Sequence, residues 1–573
     1  MFVTDREVLR MNFIRTSEEN EAPLLLSEVS HPPLPRQVVT LAFLSGQISA
    51  SHISEQLARS LCTETDSSVV LVRLQPQHGI GSTNGEARPE FFLNGEFHMP
   101  PEVRQTDGGF HSITVGLRSE PPTPAGIASL VDQLSRHFRY VLIEALDNKS
   151  PAPWFSELLL RSNLAYLFLK PTTEDLDHLD RVMREARTRC RNGGVHVKPV
   201  ACLSQGEQSD GLDLLAQRAA NPVHMFIHGY STLELMKSAG LQSNLTGLFR
   251  ADIRRLAREI GGCLVGLALS SGAAKGFAHI GVIQVLEANG IEVDVIAGAS
   301  MGAYVGSLWA YGCDGRELER LARELESRWA LWTLIDPAFP PRRGFIRGFA
   351  VKKRLMRTIG DVHFANLMRP LRIVAANLAT LERQVFSSGE VAAAVHASTA
   401  VPGICVPITI DGEIYADGGI VDPLPVDVLR EMGVAKVIAV NVIPTSERIR
   451  RGIESELEQA RQNETKGRGL FSKIFPVNRQ VNYFARGNVL EILMRSLHGA
   501  QIRMAEASCQ MADLVLRPDI FDDRWLDYRS PGRFITLGRE AAERHLEEIK
   551  SLVARKEIIH ERKLAPESVA AAI

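Results

Sequence analysis

The 573-residue chain has little cysteine: seven residues, at positions 62, 190, 202, 263, 313, 405 and 509. They are odd in number, widely spaced and contain no C-x-x-C pair, which argues against a disulfide framework or a structural zinc site and for a reducing compartment. Four lie in or beside apolar runs, the usual setting of an inert buried thiol. No sign of charge dominates: 65 basic against 67 acidic side chains leave a net charge of -2, so there is no global electrostatic case for a nucleic-acid partner. No apolar run reaches the ~20 residues a spanning helix needs. The N-terminal MFVTDREVLRMNF places Asp5, Arg6 and Glu7 where a secretory signal would be apolar. A cytoplasmic protein is expected. Hydrophobic residues at 45% and charged residues at 23% exclude a wholly disordered or fibrous chain. At ~150 residues per domain the length allows three to four domains, fewer if one α/β unit is large.

No repeat of fixed period is present. Residues 1–36, ending in HPPLPR, read as a polar tail or linker. Residues 37–247 alternate short apolar runs (Val38–Leu44, Val69–Leu74, Tyr140–Ala145, Ala165–Leu169, Val197–Leu203, Val223–Ile227) with amphipathic stretches such as Ser54–Cys62, Ile127–Phe138 and Asp175–Arg189. That alternation predicts a parallel sheet wound on both faces. Gln75 to His111, rich in Gly, Pro and polar residues, reads as a long loop or irregular insertion. Residues 248–262 form a linking helix, with Phe249, Ile253, Leu256 and Ile260 on one face. A second α/β series occupies 263–444. The segment 445–573 opens on a polar stretch, 445–473, and continues mostly helical, with a strand at Ala512–Leu516.

The first α/β unit begins like a phosphate-binding domain, yet its loop reads Ser45-Gly46-Gln47-Ile48-Ser49-Ala50-Ser51-His52. A working P-loop needs G-x-x-x-x-G-K-[ST], whose amides and lysine hold the phosphates together. Here there is one glycine and no lysine, and the strand Tyr140–Ile143 ends in Glu144 rather than a metal-associated Asp. The unit resembles the partition-type P-loop ATPases in outline, as a degenerate Rossmann-like domain, and nucleotide binding is not expected.

The second series carries three pieces of possible chemistry. In VDVIAGASMGAYVGSLWAYG the apolar run Val293–Ala297 turns through Gly298-Ala299-Ser300-Met301-Gly302 into a helix. A G-x-S-x-G at a strand-to-helix turn lifts the serine hydroxyl clear of the sheet, and the helix start favours negative charge nearby. An ordinary glycine-lined turn is the plainer alternative. Upstream, the strand Leu264–Leu269 runs into Ser270-Ser271-Gly272-Ala273-Ala274-Lys275-Gly276, where bare amides at a helix start hold a phosphate or an oxyanion, or simply let helix and strand pack closely. Downstream, EIYADGGIVDPLP puts Asp417 before Gly418-Gly419. A carboxylate that hydrogen-bonds a serine can serve as its base; alone, a D-G-G is equally an Asp-Gly turn closing a hairpin. The histidines between Ser300 and Pro444 are His363 and His396, and His396 has no obvious acid nearby.

In this order and spacing, over about Val265–Pro444, the three pieces resemble the patatin-like phospholipase family, and specifically its neuropathy-target-esterase type. FAHIGVIQVLEANGIEVDVIAGASMGA, ALWTLIDPAFP, STAVPG and YADGGIVDPLPVDVLREMG share in the likeness. The upstream unit and DIRRLAREIGG also look like the segment before the catalytic domain in that subgroup, without the cyclic-nucleotide-binding domains many of its members carry further upstream. The resemblance implies a three-layer α/β/α catalytic domain in 263–444, completed by 445–573. It implies Ser300 as nucleophile, Asp417 as general base in a Ser–Asp dyad, and an oxyanion hole at Gly272, Ala273 and Lys275. Gly276, Gly298, Gly302, Gly418 and Gly419 are motif glycines. No metal or organic cofactor is implied, and the substrate would be a phospholipid or lysophospholipid, hydrolysed through an acyl-enzyme. The loop departs from the family's G-G-G-x-[RK]-G by Ser271 and Ala273, and a positive φ at such an alanine would be penalised by about 1 kcal/mol or more.

A lipid hydrolase must reach its substrate. Between Pro340 and Arg357 lie Arg342, Arg343, Arg347, Lys352, Lys353, Arg354 and Arg357 with no acid, interleaved with Phe345, Ile346, Phe349, Leu355 and Met356. That mixture suits an anionic bilayer or a solvated helix face balanced by acids elsewhere. Leu470, Phe471, Ile474 and Phe475 are a second, weaker set. Trp309, Trp329 and Trp332 read as core or acyl-pocket residues. The alternative function is a lipid-binding or regulatory scaffold with weak or no turnover.

Overall fold

The computed structural model describes residues 36–76, 91–92, 103, 105–117, 123–146, 153–189, 196–204, 211–212, 214–215, 223–229, 244–327, 336–340, 342–445, 447, 489–520 and 527–554. Nearly all of the expected tail and of the stretch 445–473, together with Leu470, Phe471, Ile474, Phe475, Cys190, Trp329 and Trp332, lies outside the described residues. Residues 36–573 pack as one unit.

Two sheets organise that unit. The first joins β1 (Gln37–Phe43), β2 (Val69–Pro76), β3 (Phe91–Phe92), β4 (His111–Leu117), β5 (Tyr140–Leu146), β6 (Leu164–Leu169), β7 (His196–Leu203) and β8 (Met225–His228) in the order β3-β4-β2-β5-β1-β6-β7-β8. Every pairing is parallel. Its central strands, such as LAYLFL in β6, are buried on both faces and are therefore apolar almost throughout. Crossovers are made by α1 (Ala50–Thr65), α2 (Pro124–His137), α3 (Pro153–Arg161) and α4 (Thr173–Arg189). α2 starts where Thr123 accepts the Gly126 amide at 3.1 Å and Pro124 takes the first turn. The expected irregular insertion is less irregular than its composition suggests: Gln75 and Pro76 end β2, Phe91–Phe92 form the edge strand β3, and His111 begins the seven-residue β4.

The second sheet joins β9 (Val265–Leu269), β10 (Val295–Ala299), β11 (Leu371–Asn377), β12 (Arg383–Phe386), β13 (Ile408–Ile410), β14 (Glu413–Asp417), β15 (Lys436–Val440) and β16 (Leu514–Leu516). The order is β13-β14-β11-β10-β9-β15-β16, with β12 also on β11. The centre is parallel, while β12, β13 and β14 make an antiparallel edge. The helices described after α4 are α5 (Asn244–Ile260), α6 (Ala278–Ala288), α7 (Met301–Tyr311), α8 (Gly315–Arg323), α9 (Phe349–Ile359), α10 (Val391–Ser398), α11 (Val426–Glu431), α12 (Val489–Cys509), α13 (Pro531–Arg544) and α14 (Leu546–Val553).

The linking helix, α5, begins four residues earlier than its apolar spacing predicts and does more than link. Phe249, Ile253, Leu256 and Ile260 are buried in one continuous core with Leu57 and Leu61 of α1, Val39 and Leu41 of the first sheet, and Ala268, Val295 and Val437 of the second. α1 and α5 thus fill a layer that both sheets share. The opposite face of the first sheet packs on α2, α3 and α4, and that of the second on α6, α7, α8, α10 and α13. Polar residues of α5 grip both sides: Arg254 meets Glu64 at 2.7 Å, Arg258 meets Asp294 at 3.0 Å, and Asp252 meets His228 Nδ1 at 2.7 Å.

Candidate functional site

The end of β10 and the start of α7 are joined by one residue, Ser300, with φ 52° and ψ -119°. This left-handed conformation is costly for any residue with a side chain, and its surroundings enforce it. A Cβ on Gly302 would stand 2.3 Å from the Leu269 carbonyl oxygen, and one on Gly298 would stand 2.6 Å from the Gly302 carbonyl carbon. Only glycines allow the turn to close against β9. Ser398, at the end of α10, completes the support: its hydroxyl accepts the Ser300 amide at 2.8 Å and donates to the Val374 carbonyl at 2.6 Å.

Asp417 ends β14. Its register opposite Ala375 of the neighbouring β11 carries it to the same end of the sheet as Ser300. The Ser300 hydroxyl donates to Asp417 Oδ2 at 2.6 Å, across 117 positions of chain. The Gly419 amide donates to Oδ1 at 2.7 Å, and the Asp417 amide donates to the Ala400 carbonyl at 2.9 Å. Gly418 lies against β11 so closely that a Cβ there would be 2.1 Å from the Val374 carbonyl oxygen. The aspartate is not part of a hairpin turn; the β13–β14 hairpin turns earlier, between Ile410 and Glu413. Ser300 and Asp417 are both buried. Burial pushes the Asp417 carboxyl up to about 6, against the lowering pull of the Ser300 hydroxyl and the Gly419 amide.

The loop after β9 lies alongside. Ala273–Phe277 forms a 3₁₀ turn. The amides of Gly272 and Ala273 open it and so have no partner within it. Ser271 donates its amide to the Pro423 carbonyl at 2.8 Å, and the Val442 amide donates to the Ser270 hydroxyl at 3.0 Å. Gly272 and Gly276 press on Val442 and Met301, where added Cβ atoms would each come within 2.4 Å. Gly272 is extended, but Ala273 has φ 49°, in the left-handed region. Lys275 is buried. His279 Nε2 donates to the Ser270 carbonyl at 2.9 Å, and burial lowers that imidazole to about 4, so it stays neutral.

Two cavities meet at Ser300. The smaller, about 50 Å³, is polar on one side and is bounded by Ser271, Gly272, Lys275, Asp417, His498 and Gln501. The larger, about 430 Å³, is walled by apolar side chains. Met301, Tyr304, Val305 and Leu308, one face of α7, form a side of it; Leu318, Leu321 and Leu325 another; Phe277, Ile404 and Tyr528 a third. Ala273 and Val401 border both cavities.

Several of these residues were not marked by sequence reasoning. Ser398 sits in STAVPG and carries no motif of its own. His498 and Gln501 come from α12, 198 or more positions after Ser300, where only a helix is legible. The one available signal is the spacing 301, 304, 305, 308, which sets four apolar residues on one helical face. His396 lines the large cavity, bonds the Arg347 carbonyl at 3.2 Å, and is lowered by burial. Trp309 is core: it is buried and its indole N–H donates to Glu287 at 2.8 Å. Among the described residues, no group of three or more His, Cys, Asp or Glu could hold a metal ion.

Residues 267–430 match the family model for patatin-like phospholipase. Lysophospholipase nte1 of Aspergillus fumigatus is 33% identical over 195 residues, 34% of this chain and 13% of that protein. An uncharacterized NTE family protein of Mycobacterium bovis is 39% identical over 178 residues, 31% of this chain and 49% of that one. The chain thus spans about an eighth of the fungal relative and half of the mycobacterial one. A solved ParA family ATPase from Chlorobium tepidum TLS is 12% identical with a TM-score of 0.28, over 39% of this chain and 98% of its own. By that family match, and by its NTE-type relatives, this chain carries a patatin-like phospholipase domain.

Proposed function

We propose that the chain is a serine acyl-ester hydrolase acting on phospholipids or lysophospholipids through a Ser300–Asp417 dyad. The observation that carries the reading is the 2.6 Å hydrogen bond between the Ser300 hydroxyl and the Asp417 carboxylate, at the point where a small cleft meets a 430 Å³ apolar cavity. A buried carboxylate with its pKa near 6 is a better proton acceptor than an ordinary aspartate and is still ionised at neutral pH.

The acyl chain would occupy the apolar cavity, with its ester carbonyl at Ser300. As Ser300 Oγ bonds to the carbonyl carbon, its proton passes to Asp417. The negative charge on the carbonyl oxygen is met by the Gly272 and Ala273 amides, with Lys275 close by. Collapse of the tetrahedral species breaks the ester C–O bond. The leaving alkoxide takes the proton from Asp417 and departs by the small cleft. Water, deprotonated by Asp417, then attacks the acyl-serine carbonyl; the bond from that carbon to Ser300 Oγ breaks, Oγ takes the proton back from Asp417, and the fatty acid leaves. All residues required belong to this chain. The enzyme would meet its lipid peripherally, from the cytoplasmic side; among the described residues no helix is long and apolar enough to cross a membrane.

The test is product analysis on lysophosphatidylcholine with wild-type, Ser300→Ala and Asp417→Asn protein. Fatty acid release by the wild type, lost at least 10³-fold in both variants as for other essential groups of a covalent mechanism, is expected; full activity in either variant rejects the dyad. A fluorophosphonate probe that labels Ser300 rapidly would reject the scaffold alternative.

A further inference from the structure

We propose that the surface built by residues 337–340 and 342–357 is a docking face for an anionic lipid bilayer and presents the mouth of the apolar cavity to it. This inference rests on the lipid-hydrolase reading for its purpose, but on separate observations for its content.

The segment is held in place. Pro337 pairs with Ile346 and Ile346 with Cys405 as isolated bridges, and the Phe345 amide donates to the Ile404 carbonyl at 2.8 Å. Asp336 accepts the amides of Gly348 at 2.9 Å and Ala350 at 3.2 Å, fixing the start of α9. On this ordered frame Phe339 is 90% exposed and Phe349 60% exposed. Two large aromatic rings presented to solvent by an ordered segment mark a contact surface.

Within Pro337–Arg357 itself the charge has one sign, Asp336 just before it being the acid that shares the groove of Phe349. From Pro337 to Arg357 there are seven basic residues and no acid. Lys352 is paired with Glu390 and Arg354 with Glu324. The other five, Arg342, Arg343, Arg347, Lys353 and Arg357, have exposed side chains, and none enters an ion pair among the described residues. Lys352, Lys353 and Arg357, with Phe349 and Met356, also line an open groove of about 640 Å³. Aromatic rings among unpaired cations match an interface of acyl chains beneath anionic headgroups. A neutral bilayer would leave the cations without partners.

The position links docking to chemistry. Ile346, Gly348 and Val351 of the same segment form part of the apolar cavity wall that reaches Ser300. A lipid drawn from a bilayer against this face would have an apolar path to the nucleophile.

Sedimentation of full-length protein with vesicles tests the proposal. Wild-type and Ser300→Ala protein should both pellet with phosphatidylcholine–phosphatidylserine vesicles and far less with phosphatidylcholine alone. The combined Arg342→Gln, Arg343→Gln, Lys353→Gln and Arg357→Gln variant should bind the anionic vesicles up to roughly three orders of magnitude more weakly, and Phe339→Ala roughly tenfold more weakly. Both should keep the wild-type melting temperature and wild-type turnover of a soluble short-chain ester. Equal binding to the two vesicle types, or variants that bind as the wild type does, overturns the proposal. Wild-type protein that docks but turns over no ester overturns the hydrolase reading alone.

Discussion

At the scale of single residues, the proposed role of Asp417 as base would couple activity to stability. The carboxyl titrates near 6 in the folded protein against an ordinary value of 3.8. The folded state therefore holds that proton more tightly, and ionising Asp417 opposes folding as pH rises from 4 to 6 and above. Two outcomes are expected. kcat/KM should fall on an acidic limb centred near pH 6, read from a pH–rate profile. Asp417→Asn should be inactive yet more stable than wild type at pH 8, by up to about 3 kcal/mol, with the gap closing toward pH 4 in denaturant titrations. Ala273 offers a second prediction. Its φ of 49° lies in the left-handed region and strains an alanine. Ala273→Gly should raise stability by up to about 1 kcal/mol, seen as a higher melting temperature; no change would mean the surroundings relax the strain. The departure at 273 is visible in the sequence, but the left-handed backbone that gives it an energy is not. Ser300 and Asp417, which the structure brings together, stood out because their residue types carry chemistry, whereas Ser398, which holds the Ser300 amide, was hidden because a lone buried serine looks like any other.

At the scale of elements, α6 and α13 cross with almost nothing between their backbones. A Cβ on Gly281 would lie 1.9 Å from the Ile535 carbonyl oxygen, and one on Gly538 would lie 1.9 Å from that of Ala278. α6 follows directly on the 3₁₀ turn beside Ser300, so α13 braces the amide-bearing loop from behind. Gly538→Val should force the helices apart and cost more than about 3 kcal/mol, as severe overpacking does. Limited proteolysis should then cut near α13 at protease levels that spare the wild type. Nothing in the sequence marks Gly538 for this role, since a glycine inside a helical pattern reads as a weak spot. The strands fared better. Val38–Leu44, Tyr140–Ala145 and Ala165–Leu169 declare themselves as apolar, β-branched and aromatic runs because both their faces are covered. β4 did not: Ile113-Thr114-Val115 is strand-like, but Gly108, Gly109 and Gly116 around it gave stronger turn signals. β12 and β13 of the antiparallel edge were similarly masked, because short strands exposed on one side carry little apolar patterning.

At the scale of the whole molecule, charged groups are buried where the sheets approach one another. Glu259 of α5 contacts His224, at 2.9 Å, and Lys198 from the first sheet's side, and Arg372 of β11 donates to the His224 carbonyl at 2.8 Å. Burial works to raise the Glu259 carboxyl, and its contacts with His224 and Lys198 outweigh it and hold it at about 2. A depressed carboxylate contributes stability that is present above its ordinary value of 4.5 and lost as pH falls toward 2. Glu259→Gln should lower stability at pH 7 by about 3 kcal/mol and flatten the acid limb of the stability curve, both measurable by denaturant titration from pH 7 down to 3. The layer of α1 and α5 has a practical consequence for anyone who would isolate the chemistry. A polypeptide starting at Cys263 would strip α1 and α5 from the core that holds Ala268, Val295, Val428 and Val437. Such a truncated product should collect in inclusion bodies, and co-expressing the missing N-terminal half should bring it back into solution.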